Sequence, residues 1–243
     1  LKLSGAYELP GRHALFARAK SHMFLGLARE ALGEFEQTQG AFEQNLAFAR
    51  GALQFTIEAR TTLGGRLPWY FCCHPLLYEA LGKEGRLGAL PVGLHATPSF
   101  DYHRNLEMIR HAQALFISPG FSSIQEAAAF RTPVFFLPEQ NGGQPAQMLM
   151  LRQAGYDAST NWTVTDVLCE GRPSISEDDI EALYRGVAEL WGESLRPARL
   201  AALERFRQVL SDEGRRSAFV RKQREAVRRR DRALDEIHRQ RRA

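Results

Sequence analysis

Through the middle of the chain, short apolar runs closed by Pro or Gly alternate with stretches of helical period. Leu115-Phe116-Ile117 is too short for a helix and is bounded by Pro119 and Gly120, so it reads as a strand buried on both faces of a parallel sheet. A Ser-Pro-Gly-Phe-Ser-Ser turn follows. Ile124 to Ala129 then reads as a helix, with Ser122 at its N-cap and Gln125 three residues later as in a capping box. Thr132-Pro133 ends that helix, and Val134 to Leu137 is the next strand, closed by Pro138. Two parallel strands joined by a helix make one βαβ unit. Upstream, Leu67 to Cys73 and Leu90 to Leu94 read as strands, and Pro75 to Gly82 and Asn105 to His111 as helices. The alternation predicts an α/β fold with an open parallel sheet over residues 65–195.

The flanks differ from this middle part. Residues 1–64 carry a helical period from Ala14 to Arg60, punctuated by Gly33 and Gly40, which predicts an αα-hairpin. The stretch from Leu25 to Phe48 resembles one tetratricopeptide repeat in the places of Leu25-Gly26, Gly33, Phe35 and Phe42, although Thr38 and Asn45 stand where small residues pack. Residues 196–243 predict a long helix from Pro197 to Arg242. Its stripe of Leu200, Leu203, Phe206 and Leu210 suits either folding back over the domain or pairing with a second chain or another protein.

Composition narrows the classes. With 243 residues, 44% of them apolar, the chain can bury a core, and no run approaches the ~20 apolar residues of a membrane helix. The start, LKLSGAYELPGRH, lacks the apolar segment of a signal peptide. Cys72, Cys73 and Cys169 are too few for a disulfide framework or a zinc site, which points to a reducing cytoplasm and to no bound metal.

Charge is concentrated in the tail. The net charge of +4 divides into +9 over residues 196–243 and −5 over the rest. Arg228, Arg229, Arg230 and Arg232 are interrupted by Asp231, Asp235 and Glu236, as on a solvated helix laced with i,i+4 pairs. Aromatic residues are absent after Phe219, which speaks against nucleic acid as the partner.

The candidate chemistry lies in the turn between Ile117 and Ile124. A helix that starts just past a strand's carboxyl end aims free backbone N–H groups and the positive end of its dipole into the crevice there, where an anion binds well. The loop Cys73-His74-Pro75 falls at the same edge and makes His74 a candidate proton acceptor, while Tyr102, His103 and Arg104 lie nearer the start of the next helix.

Ser118, Gly120, Ser123 and Glu126, followed by Pro138 and Gln144, resemble the nucleotide half of the two-domain GT-B glycosyltransferases. The likeness is closest to the branch holding plant and antibiotic glycosyltransferases and the lipid II-forming N-acetylglucosaminyltransferase. It covers roughly residues 90–156. It implies a Rossmann-like carboxyl-terminal half in which Ser118, Gly120, Ser122 and Ser123 hold the diphosphate, Glu126 takes the ribose hydroxyls, and Gln144 and Asn141 reach the donor sugar. Ser118 stands where the family often has His, and Gly143 where it often has Asp. The same resemblance implies a uridine-linked nucleotide sugar as co-substrate and no metal or further cofactor.

The implied activity is transfer of the sugar to an acceptor that the sequence does not name. The family's amino-terminal half, which binds the acceptor and carries the base, has no counterpart in the pattern. The base would then be His74, or His13, His22 or Glu30 of the helical segment, or a residue of another chain. Three other readings stay open: a donor-binding subunit completed by a partner, as in the split N-acetylglucosaminyltransferases of lipid-linked oligosaccharide synthesis; a nucleotide-sugar hydrolase or epimerase; and a non-catalytic scaffold with a vestigial site.

Overall fold

The computed structural model describes residues 35–65, 67–169 and 180–240. The chain divides into two compact units, residues 1–44 and 45–243. Of the first, the described residues are the opening turns of helix α1 (Phe35–Leu63). The first arm of the expected hairpin, the repeat-like residues before Phe35, and His13, His22 and Glu30 lie outside the described residues.

Helix α1 runs through Gly40 without a break, contrary to the boundary expected there. One helical glycine costs about 1 kcal/mol relative to alanine. A 29-residue helix that buries Leu46, Ala49, Leu53, Phe55 and Ala59 absorbs that cost.

The second unit is α/β. Its strands are β1 (Trp69–Cys73), β2 (Leu94–Pro98), β3 (Leu115–Ile117) and β4 (Val134–Phe136), paired in parallel as β1 with β2 and β3 with β4. Each pair is bridged by a helix, α2 (Pro75–Lys83) in the first and α4 (Phe121–Phe130) in the second, with α3 (Tyr102–His111) between the pairs. Trp69 stacks on Phe116 at 5.5 Å, joining the two pairs through their side chains. No closed barrel forms among the described residues.

Strand β2 begins where the expected one ends. Pro91 cannot donate to a ladder, and Gly93 takes a left-handed φ of 80°. The chain therefore turns first, with Leu94 N–H donating to the Pro91 carbonyl, and pairs only from Leu94 onward.

Strands β3 and β4 sort their side chains to two faces by their two-residue period. Phe116 and Phe135 meet Phe55 of α1 and Phe206 of α8 (Arg196–Leu210), with ring centroids 5.4–5.8 Å apart. Val134 and Phe136 on the other face pack on Ile124 and Ala127 of α4, on Met148 and Leu151 of α5 (Gly143–Gln153), and on Ala226 and Val227 of α9 (Glu213–Gln240). Between them lie a short helix α6 (Val164–Val167) and α7 (Ile180–Trp191).

The expected single terminal helix is two. Ser211-Asp212 separates α8 from α9, and Asp212 caps α9 by accepting from Arg215 N–H at 2.7 Å. The stripe on α8 faces the domain: Leu203 and Phe206 are fully buried, and Leu200 and Leu210 pack against the same core. Helix α9 then folds back along α4 and α5. It also closes the outer edge of β4. The Gln223 amide donates to the Val134 carbonyl at 2.9 Å and accepts from its N–H at 3.3 Å, as a neighbouring strand would, and Trp162 N–H donates to the Phe136 carbonyl at 2.8 Å. No helix among the described residues is long and apolar enough to cross a membrane.

Candidate functional site

The loop after β3 is built by its own backbone. Gly120 N–H donates to the Ser118 carbonyl at 2.7 Å, and the Ser118 hydroxyl donates to the Pro138 carbonyl at 2.8 Å, which ties this loop to the one after β4. Helix α4 starts at Phe121 with Gly120 as its N-cap, and no side chain caps it. Ser122 is thus the second helical residue and not the cap that the sequence suggests. Glycine is itself an accepted N-cap, and starting at Phe121 lets that ring pack beneath the Arg230 guanidinium, 4.6 Å from the ring centre.

The first-turn amides of a helix have no intrahelical acceptor, and the cap residue Gly120 has no side chain to offer one. The positive end of the α4 dipole lies at the carboxyl end of β3. Ser122 and Ser123 are half-buried in that turn. Glu126, also half-buried, follows Ser122 by four residues and Ser123 by three, so the three share a face. A Cβ placed on Gly120 would find Ser123 Oγ at 3.7 Å and the Ser118 carbonyl oxygen at 3.9 Å, so the chain itself leaves that position open.

The loop after β4 folds on itself. Gln144, the buried second residue of α5, accepts from Gln140 N–H through Oε1 at 2.6 Å. Exposed Asn141 accepts from Gly143 N–H at its Oδ1 and from Gln144 N–H at its carbonyl. Glu139 anchors the base of the loop: its fully buried carboxylate accepts from Val164 and Thr165 N–H and from the Thr165 hydroxyl, capping α6. Burial pushes that carboxyl up, against the opposing pull of the Thr165 hydroxyl and the backbone donors.

His74 sits at the carboxyl end of β1 as the N-cap of α2, its Nδ1 accepting from Leu76 N–H at 3.3 Å. A neutral imidazole has one acceptor nitrogen, and the cap uses it. Ser99 N–H donates to the Cys73 carbonyl at 2.7 Å and brings the loop after β2 alongside; there Asp101 caps α3, and Tyr102 and His103 lie exposed in its first turn. Helices α3 and α4 pack together, and the Thr132 hydroxyl past the end of α4 donates to the Ile109 carbonyl near the end of α3. The carboxyl-terminal ends of the two helices are thus tied together.

The pattern missed Arg230. It lies in a row expected to face solvent, yet its side chain is fully buried among Phe121, Asp231 and Gln147. Gln125, expected to complete a capping box, instead donates to Asp231 at 3.3 Å. One signal was available: Gln223, Val227 and Arg230 fall on one side of an ideal helix, so Arg230 shares the buried stripe.

No group of metal-ligating side chains gathers among the described residues. Comparison with models of protein families, with curated proteins and with solved structures finds no match to this chain.

Proposed function

We propose that this chain is a glycosyltransferase of GT-B type whose Rossmann-like second unit binds a nucleoside diphosphate sugar, uridine-linked, at the loop between β3 and α4. The observation that carries the reading is the start of α4 on a glycine cap at the carboxyl end of a parallel strand, with Ser123 and Glu126 on one helix face.

In this reading the first-turn amides and the Ser122 and Ser123 hydroxyls take the diphosphate, and Glu126 takes the ribose hydroxyls. The Gln144 carboxamide nitrogen, with Asn141, reaches the sugar. Sugar transfer releases negative charge onto the β-phosphate, and fixed donors aimed at that charge stabilise it where it develops, without a metal.

The His74 cap favours a second form of the same reading, in which the base comes from elsewhere and this chain is the donor-binding subunit of a two-chain enzyme. Calorimetric titration with uridine diphosphate, with adenosine and guanosine diphosphates as controls, tests both forms. Selective micromolar binding that is lost in Ser123→Asp supports the site, and sugar turnover by the isolated chain then separates enzyme from subunit. Absence of binding at millimolar uridine diphosphate overturns the reading.

A further inference from the structure

Helix α9 buries one side and turns the other to solvent. Phe219, Gln223, Val227 and Arg230 face the domain, and the contacts of Gln223 with β4 and of Arg230 with α4 fix the rotation of the helix about its axis. The opposite half is cationic. Arg221, Arg224, Arg228 and Arg232 follow at steps of three, four and four residues, which keeps them in one row about 16 Å long. Three of them are exposed and Arg224 is half-buried. Arg215, Lys222 and Arg229, spaced by seven, make a second exposed row about a third of a turn away. Between Arg215 and Arg232 the only acidic residues are Glu225, 3.9 Å from Arg229, and Asp231, which Arg230 holds.

The first row differs from an ordinary solvated face. Arginines elsewhere on the surface sit beside carboxylates, Arg86 by Glu84, Arg207 by Glu204 and Arg239 by Glu236. None of the four in the row has a hydrogen-bond or ion-pair partner among the described residues. Like charges at i,i+4, as in Arg224, Arg228 and Arg232, weaken the helix that carries them. A polyanion laid along the row turns that repulsion into attraction.

The shape of the cationic half decides between polyanions. The two rows spread over roughly half the circumference of the helix, so a flat anionic bilayer would meet one row at a time. No large apolar side chain is exposed between Arg215 and Arg232 to enter the lipid. A groove reaches both rows. The major groove of B-form DNA is about 12 Å wide and admits an α-helix between its two lines of phosphates. The guanidinium fork matches phosphate oxygens in pairs. The absence of aromatic residues after Phe219 bears on single strands, whose bases stack on rings; a duplex is held through its backbone and needs none.

We propose that the exposed half of α9 docks double-stranded DNA through its phosphates, without regard to base sequence. This binding is independent of a nucleotide sugar at the loop between β3 and α4.

The test is fluorescence anisotropy of a labelled duplex of mixed sequence, titrated with the protein at salt from about 50 to 200 mM. Each neutralised phosphate contributes about −0.9 to the slope of log affinity against log salt. The expected result is micromolar binding at the lowest salt with a slope of about −3.6 or steeper, the mark of four contacts or more. Arg221→Gln, Arg224→Gln, Arg228→Gln and Arg232→Gln combined should lower affinity at least tenfold and flatten the slope by about 3. The same change at Arg86, Arg110, Arg185 and Arg207, exposed arginines of other elements, removes as much charge and should leave affinity within threefold. Equal losses in the two sets would reduce the binding to net charge and overturn the proposal. It is also overturned by wild-type protein that leaves the duplex unbound at the lowest salt, or that binds a single strand of the same sequence more tightly. Binding confined to vesicles of phosphatidylcholine and phosphatidylserine overturns it in favour of a membrane. Circular dichroism checks that each variant is folded. If the fourfold variant is not, Arg221→Gln with Arg228→Gln should flatten the slope by about 1.8, and an unchanged slope overturns the proposal.

Discussion

Glu58 of α1 and Arg199 of α8 form a buried two-point ion pair, Nε to Oε2 at 2.8 Å and Nη2 to Oε1 at 3.2 Å. Arg196 adds a bond to the same carboxylate at 3.0 Å, and Arg199 Nη1 donates to the Leu190 carbonyl at the end of α7. Three helices are locked by one guanidinium.

Removing one partner leaves a buried charge partly unpaired. Arg199→Met should cost about 3–5 kcal/mol, and Glu58→Leu with Arg199→Met should recover much of that. Burial by itself pushes the Glu58 carboxyl up, but hydrogen bonds from Arg199 and Arg196, with their charges, outweigh it and hold the group below the ordinary carboxylate range. A folded-state value below the unfolded one means the contribution is complete above about pH 4.5 and fades as the pH falls through the folded value. Urea unfolding from pH 6 to 3 should show a shallower acid decline in Glu58→Gln than in wild type. Parallel declines would show that the pair contributes nothing there.

Gln223→Leu should expose the cost of an unclosed strand edge. The substitution strips the Val134 N–H of its partner, leaves the Val134 carbonyl with the Tyr156 hydroxyl alone at 3.3 Å, and removes the Gln223 amide from that hydroxyl, 2.6 Å away. Each buried polar group left unpaired costs about 1–3 kcal/mol. The distinguishing measurement is hydrogen exchange at the Val134 amide, which should lose protection beyond the global change in stability. Protection that falls only as far as the global stability would show that Gln223 does not close the edge.

These contacts also mark what a linear pattern can reveal. Strands β3 and β4 were legible because Leu115–Ile117 and Val134–Phe136 are apolar on both faces and are bounded by Pro119 and Pro138. Strand β2 was misplaced by a few residues because Leu90 is as apolar as Leu94, while the turn that excludes it depends on the φ of Gly93. The turn between β3 and α4 was legible from Pro119 and Gly120, but the cap was not, since Gly120 and Ser122 both suit that position. Arg230 stayed hidden among exposed arginines because its burial depends on how α9 crosses α4. Distances across more than eighty residues, such as Gln147 to Arg230, leave no local trace.

Gly51 is the next place where packing opposes propensity. It lies inside α1, where alanine would ordinarily gain about 1 kcal/mol. A Cβ there would overlap the Trp191 indole, which is flanked by Phe48 at 5.9 Å and Phe55 at 6.0 Å. Overpacking of this kind costs about 1–3 kcal/mol. Gly51→Ala should therefore lower the melting temperature and shift the tryptophan fluorescence, and adding Trp191→Phe should restore part of the loss. A raised melting temperature in Gly51→Ala would mean that the indole moves aside freely.

Gly120 poses the opposite case, because neither its backbone conformation nor its neighbours exclude a side chain. Its φ of −74° and ψ of 140° are open to any residue, and a Cβ would meet nothing nearer than Ser123 Oγ at 3.7 Å. Alanine is a poorer N-cap than glycine, so Gly120→Ala should cost about 1 kcal/mol of stability. A phosphate drawn to the first-turn amides of α4 must pass close to the Gly120 backbone, and a methyl group there stands in its way. Uridine diphosphate affinity should fall tenfold or more, about 1.4 kcal/mol, in a variant that remains folded at the assay temperature. Calorimetry on Gly120→Ala beside Ser123→Asp reads the two effects separately: steric in the first, repulsion between like charges in the second. If both variants bind as wild type does, the anion sits elsewhere and this loop is only the start of a helix.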